Sequence, residues 1–519
     1  MDHGNSKTRP SFAIALVTFV IIAAIISFGL LGLKLDAHVP IALAATVAAL
    51  VGKFIVGITW EDMEIAICNA ISSSIGALLI LIAIGMLVGS WVQAGVVPGL
   101  IYYGFDVLSP GIFLTASLII CSIISVATGS SWGVGGTVGV ALIGIAAGLG
   151  IPAPLTAGVI ISGAYFGDKM SPLSDTTNLA PAVSGSNLFD HIQAMMWTTI
   201  PTYVIVVIIT IVLGFGYATD SASSFDASRI EAFQKIIAAE FSINPLYVAV
   251  PPIIVLVLAV MKCPALPSMI AGTAAASGLA MLQGKSLADA LGAIHYGYES
   301  TVATKLSEAA TEGLPALMNE LGIAGVTPQA AHEVSSLVTE LLNRGGLDSM
   351  MWSLSLIMIA LVLGGVMESC HYLDVLLNPL LYRVRTVGGF VTLVVSSCFV
   401  SNVFLGDQYL AIVVPGRMFK TAVARTELSP RMLSRTLEDC GTMTAVLVPW
   451  TGCGAFQSGA LGVPTLSYAP YCFLNYLNPF VAIIISYLGI GNYWGKDKAD
   501  KIEKRTALVF PPEEADATA

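Results

Sequence analysis

One short segment of the sequence concentrates oxygen-bearing side chains of the kinds that bind cations. Two carboxylates, Asp168 and Asp175, lie in it, and hydroxyl and amide groups accompany them: Ser171, Ser174, Thr176, Thr177 and Asn178. Oxygen ligands of this type suit hard metal ions. The segment therefore predicts a site in which Asp168 and Asp175 bind Na⁺, with the hydroxyl and amide groups completing its polar lining.

The spacing of the segment decides whether its polar groups can act together. Four of them fall at helical positions i, i+3, i+7 and i+10, on one face of a helix: Asp168, Ser171, Asp175 and Asn178. An ideal helix would hold the two carboxylates about 10 Å apart, which is too far for one ion. Gly167, Pro172 and Pro181 can interrupt the helix, and an unwound stretch frees backbone carbonyls beside the carboxylates.

A simpler alternative for the segment is a membrane-boundary loop, since Ser, Asp and Asn favour helix starts. Two carboxylates inside an otherwise apolar helix favour a functional role, because an intramembrane charge is costly. The neighbouring Lys169 either stabilises the charge on Asp168 or faces away as a boundary residue. Further along the chain, two adjacent carboxylates, Glu438 and Asp439, abut a basic loop and are predicted to form ion pairs with Arg431 or Arg435.

Composition places the whole chain in a membrane. Of its 519 residues, 11% are charged and 56% are hydrophobic, against about 25% charged in an ordinary soluble domain. These values exclude a soluble enzyme, a disordered protein and a nucleic-acid-binding protein. The apolar residues run continuously rather than alternating, which excludes a transmembrane β-barrel. The expected fold class is an all-α polytopic membrane protein.

Ten segments are apolar and long enough to be membrane helices. They lie near residues 12–33, 37–57, 65–88, 155–180, 196–218, 243–261, 264–283, 349–367, 440–460 and 471–490. Two of them, 155–180 and 440–460, contain Gly, Pro and polar residues, and these are predicted to be broken helices at the membrane midplane. Thr451 lies in the second broken helix and is expected to contribute its hydroxyl to the site.

Two further apolar stretches, 111–150 and 387–416, are predicted to be re-entrant hairpins. Each has two legs that are short for a full crossing and a polar tip between them. Non-helical backbone survives at membrane depth only where protein or a wet cavity surrounds it. The tips carry four side chains that are expected to approach the site: Ser130, Ser131, Asn402 and Asp407. Asp407 has the alternative role of capping its hairpin.

These elements predict two halves related as an inverted-topology repeat. Each half has about five passes and one hairpin, the first over 10–218 and the second over 243–490. An external loop, 219–242, joins the halves, and an external insertion, 284–348, interrupts the second. Basic residues cluster after the second hairpin and in the tail, 491–519, and Lys7 and Arg9 precede the first helix, so both termini are expected in the cytoplasm.

Several motifs resemble those of the NhaC-type sodium/proton antiporters, within the ion transporter superfamily. The longest is Gly167–Pro181, and others follow the chain: Thr128–Gly133, Arg344–Gly346, Gly364–Glu368, Leu437–Thr444 and Val448–Ala455. The resemblance implies cation-coupled transport by an inverted repeat, with the site between hairpin tips and broken helices. Gly452 stands where the family pattern has Thr, so the second broken helix has one hydroxyl fewer.

The expected function is secondary active Na⁺/H⁺ antiport by alternating access, in which a carboxylate must lose its proton to bind Na⁺. The alternative is coupled exchange of a small organic anion or amino acid, since the family resembled here includes sodium-malate/proton-lactate exchangers. An intramembrane aspartyl protease is a remote alternative, because Asp168 and Asp407 place one carboxylate in each half.

No enzymatic activity and no cofactor are expected, and Na⁺ and H⁺ are the transported ions. The chain has no Walker A motif, so ATP is not expected to drive transport. Membrane lipid and a small cation are the expected partners, nucleic acid is not, and a homodimer is left open. The expected location is the cytoplasmic membrane of a prokaryote, crossed several times.

Overall fold

A computed structural model describes the chain over four ranges: 9–224, 227–381, 383–495 and 500–510. Helices dominate all but the last of these. The helices that precede residue 225 are α1 (Phe12–Ser27), α2 (His38–Val51), α3 (Trp60–Gln93), α4 (Val96–Val107), α5 (Pro110–Thr128), α6 (Ser131–Val134), α7 (Val140–Gly148), α8 (Ala153–Met170), α9 (Asp175–Ser184) and α10 (Leu188–Ser224). Helices suit apolar sequence in lipid because their backbone amides bond within the same segment.

The second half of the chain continues in the same way. Its helices are α11 (Ala227–Glu240), α12 (Pro245–Val260), α13 (Ala265–Leu282), α14 (Leu287–Tyr296), α15 (Thr301–Glu308), α16 (Leu314–Glu320), α17 (Pro328–Leu342), α18 (Met351–Ser369), α19 (Tyr372–Leu381), α20 (Val387–Leu405), α21 (Gln408–Ala424), α22 (Pro430–Leu437), α23 (Met443–Ala445), α24 (Gly452–Leu461), α25 (Thr465–Tyr468) and α26 (Phe473–Tyr487). Two short antiparallel strands follow: β1 (Tyr493–Trp494) and β2 (Lys501–Ile502).

The number of membrane-spanning helices agrees with a multi-pass protein. Among the residues that the structure describes, nine helices are long and apolar enough to cross a membrane: Phe12–Gly32, His38–Val56, Trp60–Gln93, Pro110–Thr128, Ser131–Gly148, Leu188–Tyr217, Ala265–Leu282, Asp348–Ser369 and Val387–Leu405. Two bent helix pairs raise this number to eleven if each pair is one span. The protein is therefore an all-α polytopic membrane protein, and this prediction is confirmed.

Each stretch that was predicted to be a re-entrant hairpin forms a pair of helices with legs longer than the sequence predicts, and re-entry into the membrane stays a prediction. The first pairs α5 with Ser131–Gly148, of 19 and 18 residues, and the second pairs α20 with α21, of 19 and 17 residues. The prediction of short legs was wrong, because the Gly-rich polar stretch folds into helix instead of loop. Ser130 caps that helix, and its Oγ accepts a hydrogen bond from Gly133 N at 3.1 Å.

The helices from α5 to α9 and those from α20 to α24 follow the same order at a constant offset. A glycine in the left-handed conformation ends the first leg of each hairpin, Gly129 (φ 68°) and Gly406 (φ 70°). A hydroxyl side chain then caps the second part of each broken helix, Ser174 and Thr451. The members of both pairs stand 277 positions apart. This offset supports the predicted repeat over these helices, while the inverted orientation and the boundaries of the halves stay predictions.

The connection and the insertion outside the predicted passes are folded into helices. The segment 219–242 was predicted to be a loop, but α10 extends to Ser224 and α11 follows from Ala227. The insertion forms α14 to α17. Glu240, at the end of α11, links α11 to the insertion. Its Oε1 accepts hydrogen bonds from the Tyr298 hydroxyl at 3.0 Å and from Thr301 N at 2.6 Å. The external location of both segments stays a prediction.

The described part of the tail packs against the second half. Leu508 and Phe510 are buried in a hydrophobic cluster with residues of α20, α21 and α22. Asp500 accepts a hydrogen bond from Ser429 at 2.7 Å and lies 2.6 Å from the Arg431 Nε. A second, larger cluster runs through the rest of the helix bundle. The tail therefore rests on the loop that leads into α22, next to the second broken helix.

Candidate functional site

The break between α8 and α9 puts the polar segment in a non-helical conformation. Pro172 disfavours a helical backbone at the residue before it, and Ser171 is accordingly extended (φ −85°, ψ 128°). Helix restarts at Asp175, where Ser174 is the N-cap. The Thr177 hydroxyl donates to the carbonyl oxygens of Asp168 at 3.2 Å and of the next residue at 3.0 Å. The prediction of a broken helix is thus met at Pro172, whereas Pro181 lies inside α9 without ending it.

Asp168 lies in the last turn of α8 and contacts the tip of the first hairpin. Its side chain is buried, and Oδ2 accepts hydrogen bonds from Ser131 N at 3.1 Å and from Ser131 Oγ at 2.6 Å. Gly129 makes this approach feasible, since a Cβ there would lie 2.7 Å from the backbone carbon of Leu173. The hairpin tip and the break in the helix are therefore held together at the carboxylate, as the sequence analysis expected for Ser131.

A cavity of about 700 Å³ lies beside this carboxylate. Its polar lining comes from the break, the first hairpin, α3, the α12–α13 turn and the start of α21. The residues are Asp168, Asp175, Ser130, Ser174, Thr176, Thr128, Ser73, Lys262, Gln408 and Tyr409. Asp175 is exposed, whereas Ser174 and Thr176 are buried. Five of the predicted site residues thus share one cavity, with the two carboxylates among them.

Two predicted site residues from the same segment have structural hydrogen bonds instead of a place in the cavity lining. The Ser171 hydroxyl donates to the Val126 carbonyl at 2.8 Å. The Asn178 side chain, which is exposed, donates to the carbonyls of Pro172 at 3.0 Å and Ser174 at 2.7 Å. These contacts keep the shape of the break, and direct ion binding by either residue stays a prediction.

The three predicted residues of the second half are buried but lie outside the cavity lining. Asp407 caps α21 through its Oδ1, and its Oδ2 accepts a hydrogen bond from Ser74 at 2.9 Å. Asn402 donates to the Gly441 carbonyl at 2.8 Å. Thr451 caps α24. The residues of the second hairpin that do line the cavity are Gln408 and Tyr409, which directly follow Asp407.

A buried group of charges next to the site was missed by the sequence analysis. Lys169 forms an ion pair with Asp439, and both side chains are fully buried. Asp439 also accepts hydrogen bonds from Thr198 at 2.8 Å and Asn478 at 2.9 Å. The predicted pairing of Asp439 with Arg435 is present, with the Arg435 Nε 3.6 Å from Oδ2 of Asp439, but this pair is buried. The partner that the prediction missed is Lys169.

Glu438 belongs to the same buried group and reaches the site by another route. Its Oε1 accepts a hydrogen bond from the Thr176 hydroxyl at 2.9 Å, and Thr176 lines the cavity. The sequence signal for this cluster was the presence of charged residues at the edge of a long uncharged run, 440–495. Among the described residues, no group of three or more His, Cys, Asp and Glu side chains could hold a metal ion.

Comparison with known proteins agrees with this architecture. A family model described as the Na⁺/H⁺ antiporter family matches residues 163–320 and 314–490. The chain belongs to this family. The resemblance to NhaC-type antiporters is confirmed, since the chain is 35% identical to the Na⁺/H⁺ antiporter NhaC of Alkalihalophilus pseudofirmus, over 93% of this chain and 97% of the relative.

Two other relatives in the comparison carry different names. The arginine/ornithine antiporter ArcD of Halobacterium salinarum is 35% identical over 96% of each chain. The malate-2H⁺/Na⁺-lactate antiporter of Bacillus subtilis is 35% identical over 95% of this chain and 98% of the relative. The family therefore contains, at equal similarity to this chain, proteins named for inorganic cations and proteins named for organic solutes.

Proposed function

We propose that the protein is a secondary active Na⁺/H⁺ antiporter in which Asp168 is the ion-binding carboxylate. One observation carries the proposal: Asp168 is 7% exposed, lines a cavity and lies where its helix is broken. A buried carboxylate is costly without a counter-charge, so it favours binding a proton or a cation. Membership of the Na⁺/H⁺ antiporter family and similarity to two NhaC proteins support the same function.

Competition for one carboxylate couples the two ions. Ionised Asp168 binds Na⁺, and protonated Asp168 does not, so each ion displaces the other. Asp175 supplies a second carboxylate at the exposed side of the cavity, and Ser130, Ser174 and Thr176 supply hydroxyl oxygens around it. Alternating access would follow from movement of the break and of the hairpin tip that contacts Asp168.

The cellular setting is part of the proposal. We assign the protein to the cytoplasmic membrane of a prokaryote, with both termini in the cytoplasm, because basic residues cluster after the second hairpin and in the tail. Membrane lipid and a small cation are its partners, and Na⁺ and H⁺ are cargo rather than cofactors. Native mass measurement of the purified protein tests whether it is a homodimer.

Transport by purified protein in liposomes tests the proposal. Na⁺-loaded liposomes diluted into Na⁺-free buffer should acidify their lumen without ATP, because H⁺ enters as Na⁺ leaves, and a trapped pH dye reads this change. Empty liposomes and Li⁺- or K⁺-loaded liposomes are the controls. A pH change that requires an organic solute, and that Na⁺ alone never produces, would contradict simple Na⁺/H⁺ antiport.

A second candidate function, exchange of a small organic anion or amino acid, is favoured by the size of the cavity. About 700 Å³ falls in the range of roughly 300–1,000 Å³ for organic ligand sites, and it is far more than one Na⁺ needs. Lys262 and Asp175 line the cavity with opposite charges, which suits a zwitterion or a carboxylate. Uptake of labelled malate, lactate, arginine and ornithine against Na⁺ alone distinguishes the two functions.

We do not propose an enzymatic activity. An aspartyl protease needs two carboxylates that share one site. Asp168 lines the cavity, whereas Asp407 caps α21 and bonds to Ser74. Since these contacts occupy both oxygens of Asp407, the arrangement favours a structural role for it and supports transport over proteolysis.

A further inference from the structure

Arg344 is a charged residue that the mechanism above does not use. It follows α17, at the end of the insertion, and precedes two glycines, Gly345 and Gly346. Its side chain reaches out of the insertion to α24, where its Nη1 donates a hydrogen bond to the Leu461 carbonyl at 3.0 Å. Its Nε donates to the Glu340 carbonyl in the last turn of α17, also at 3.0 Å. The guanidinium therefore joins the end of α17 to the end of α24.

The end of α24 is built to receive this cation. Leu461 is the last residue of the helix, and the carbonyls of a last helical turn lack partners within the helix and carry partial negative charge. Gly462 follows in the left-handed conformation (φ 68°), and a Cβ there would lie 2.5 Å from the Nη1 of Arg344. Position 462 therefore requires glycine both for its backbone conformation and for the close approach of the guanidinium.

The base of the Arg344 side chain is held firmly against α3. Gly346 N donates a hydrogen bond to the Gly85 carbonyl at 2.7 Å, and the Arg344 carbonyl accepts one from Tyr298 N at 3.2 Å. A Cβ at Gly89 would lie 2.8 Å from Gly346 N, so the two backbones are in direct contact. The insertion and α3 thus form a fixed base from which Arg344 holds α24.

The middle of α24 contacts the tip of the first hairpin. Phe456 stacks on Trp132, with ring centroids 4.2 Å apart and planes inclined by 20°. The next residue, Gln457, is 0% exposed, and its Nε2 donates a hydrogen bond to the Ser131 carbonyl at 3.3 Å. Ser131 is the residue whose N–H and hydroxyl both donate to Asp168. A continuous set of contacts therefore runs from Arg344 through α24 to the proposed ion-binding carboxylate.

We propose that Arg344 is a positioning residue for the ion site. By holding α24 against the insertion, it keeps the hairpin tip, and with it Ser131, in place against Asp168. The inference rests on the proposed role of Asp168 in ion binding. Arg344 is not one of the described residues that line the cavity, so its effect passes through α24. The insertion thereby contributes to Na⁺ binding without contacting the ion.

The dependence of exchange on Na⁺ concentration tests this proposal. Arg344→Met keeps the length of the side chain but removes its charge and its hydrogen-bond donors. The apparent KM for Na⁺ should rise about tenfold, as expected when a charge-assisted hydrogen bond such as that from Ser131 to Asp168 is weakened. The rate at saturating Na⁺ should change by less than about twofold, because the interaction that is lost serves binding. Initial rates of Na⁺-driven proton movement in liposomes, at one pH and a series of Na⁺ concentrations, give both values.

Three further variants locate the effect in the proposed contacts. Arg344→Lys keeps a positive charge at the end of α24, so its KM should stay within about threefold of wild type. Gln457→Met removes the hydrogen bond to the hairpin tip while Arg344 stays in place, and it should raise the KM by itself. The double variant Arg344→Met/Gln457→Met should have a KM no higher than the larger single effect, because both changes act on one set of contacts. The exposed Arg425→Met is the matched control and should have the wild-type KM.

Two results overturn the inference and leave the antiport function intact. One is an unchanged KM in Arg344→Met, and the other is a double variant in which the two effects on KM multiply. If Arg344→Met shows no exchange, Gln457→Met decides: a raised KM supports the proposal, whereas a wild-type KM or a loss of all exchange overturns it. Wild-type exchange that does not depend on Na⁺ would instead overturn the antiport function itself. The KM is a suitable readout because a purely structural role would lower the amount of folded protein, and hence the maximal rate, without changing the KM.

Discussion

Replacing Lys169 by methionine would remove one partner of the ion pair that joins the two halves of the protein. The pair is fully buried, with both side chains at 0% exposure. Breaking such a pair leaves an uncompensated charge and costs about 3–5 kcal/mol. We expect Lys169→Met at the lower end of this range, because Arg435 stays 3.6 Å from Asp439 and offsets part of the loss.

Replacing Asp439 by leucine should cost more, at about 5 kcal/mol, because Lys169 and Arg435 would then both be buried without a carboxylate. An unfolding entropy of roughly 2.1 cal/mol/K per residue gives about 1.1 kcal/mol/K for the whole chain. The melting temperature should therefore fall by about 3 °C for Lys169→Met and by about 5 °C for Asp439→Leu. The double variant should fall by less than the sum of the two, because it removes both members of the Lys169–Asp439 pair and leaves neither of them without the other.

Thermal unfolding in detergent, followed as the loss of monodisperse protein on gel filtration, measures these shifts. The exposed pair Arg505–Glu427 provides the control, since removing a partner of a surface pair changes stability by about 0–1 kcal/mol. Equal melting temperatures for the wild type and Lys169→Met, or strictly additive shifts in the double variant, would refute the inference that this pair is a coupled link between the halves.

Two further predictions concern the hairpin and the topology. Gly129→Ala should lower stability and exchange by more than Gly57→Ala. Both glycines have positive φ, but only at position 129 would the new Cβ meet a backbone atom, 2.7 Å away. Similar losses in the two variants would show that the close approach at Gly129 is unimportant. A membrane-impermeant thiol reagent applied to intact cells should label Glu312→Cys and spare Arg425→Cys, both at exposed positions, and the reverse pattern would overturn the proposed orientation.

The break at the site could be predicted from local sequence. Pro172 restricts the residue before it, and Ser174 is a good helix cap, so both determinants act within a few residues. The break places four of the five predicted residues of the cavity lining next to one another: Asp168, Ser174, Asp175 and Thr176. The constant offset of 277 positions between Gly129 and Gly406 likewise reflects local signals, a left-handed glycine followed by a polar cap.

The contacts between the halves could not be predicted in this way. Lys169 and Asp439 are separated by 270 positions, and nothing near either residue identifies the other. Asn402 was expected at the site because it lies at a polar hairpin tip, yet its side chain bonds to the Gly441 carbonyl. Gln408 lines the cavity instead. Which side of a hairpin tip faces a cavity is decided by tertiary packing, and the spacing of polar residues does not encode it.

The most direct test of the central claim is Na⁺-driven proton movement by Asp168→Asn in liposomes. Asparagine keeps the size of the side chain and can still accept the Ser131 hydrogen bonds, but it cannot exchange a proton for Na⁺. Exchange should fall to the level of empty liposomes while the protein stays monodisperse, and the exposed Asp36→Asn should behave as wild type. If Asp168→Asn exchanges at the wild-type rate and keeps its dependence on pH, the assignment of Asp168 as the coupling carboxylate is contradicted.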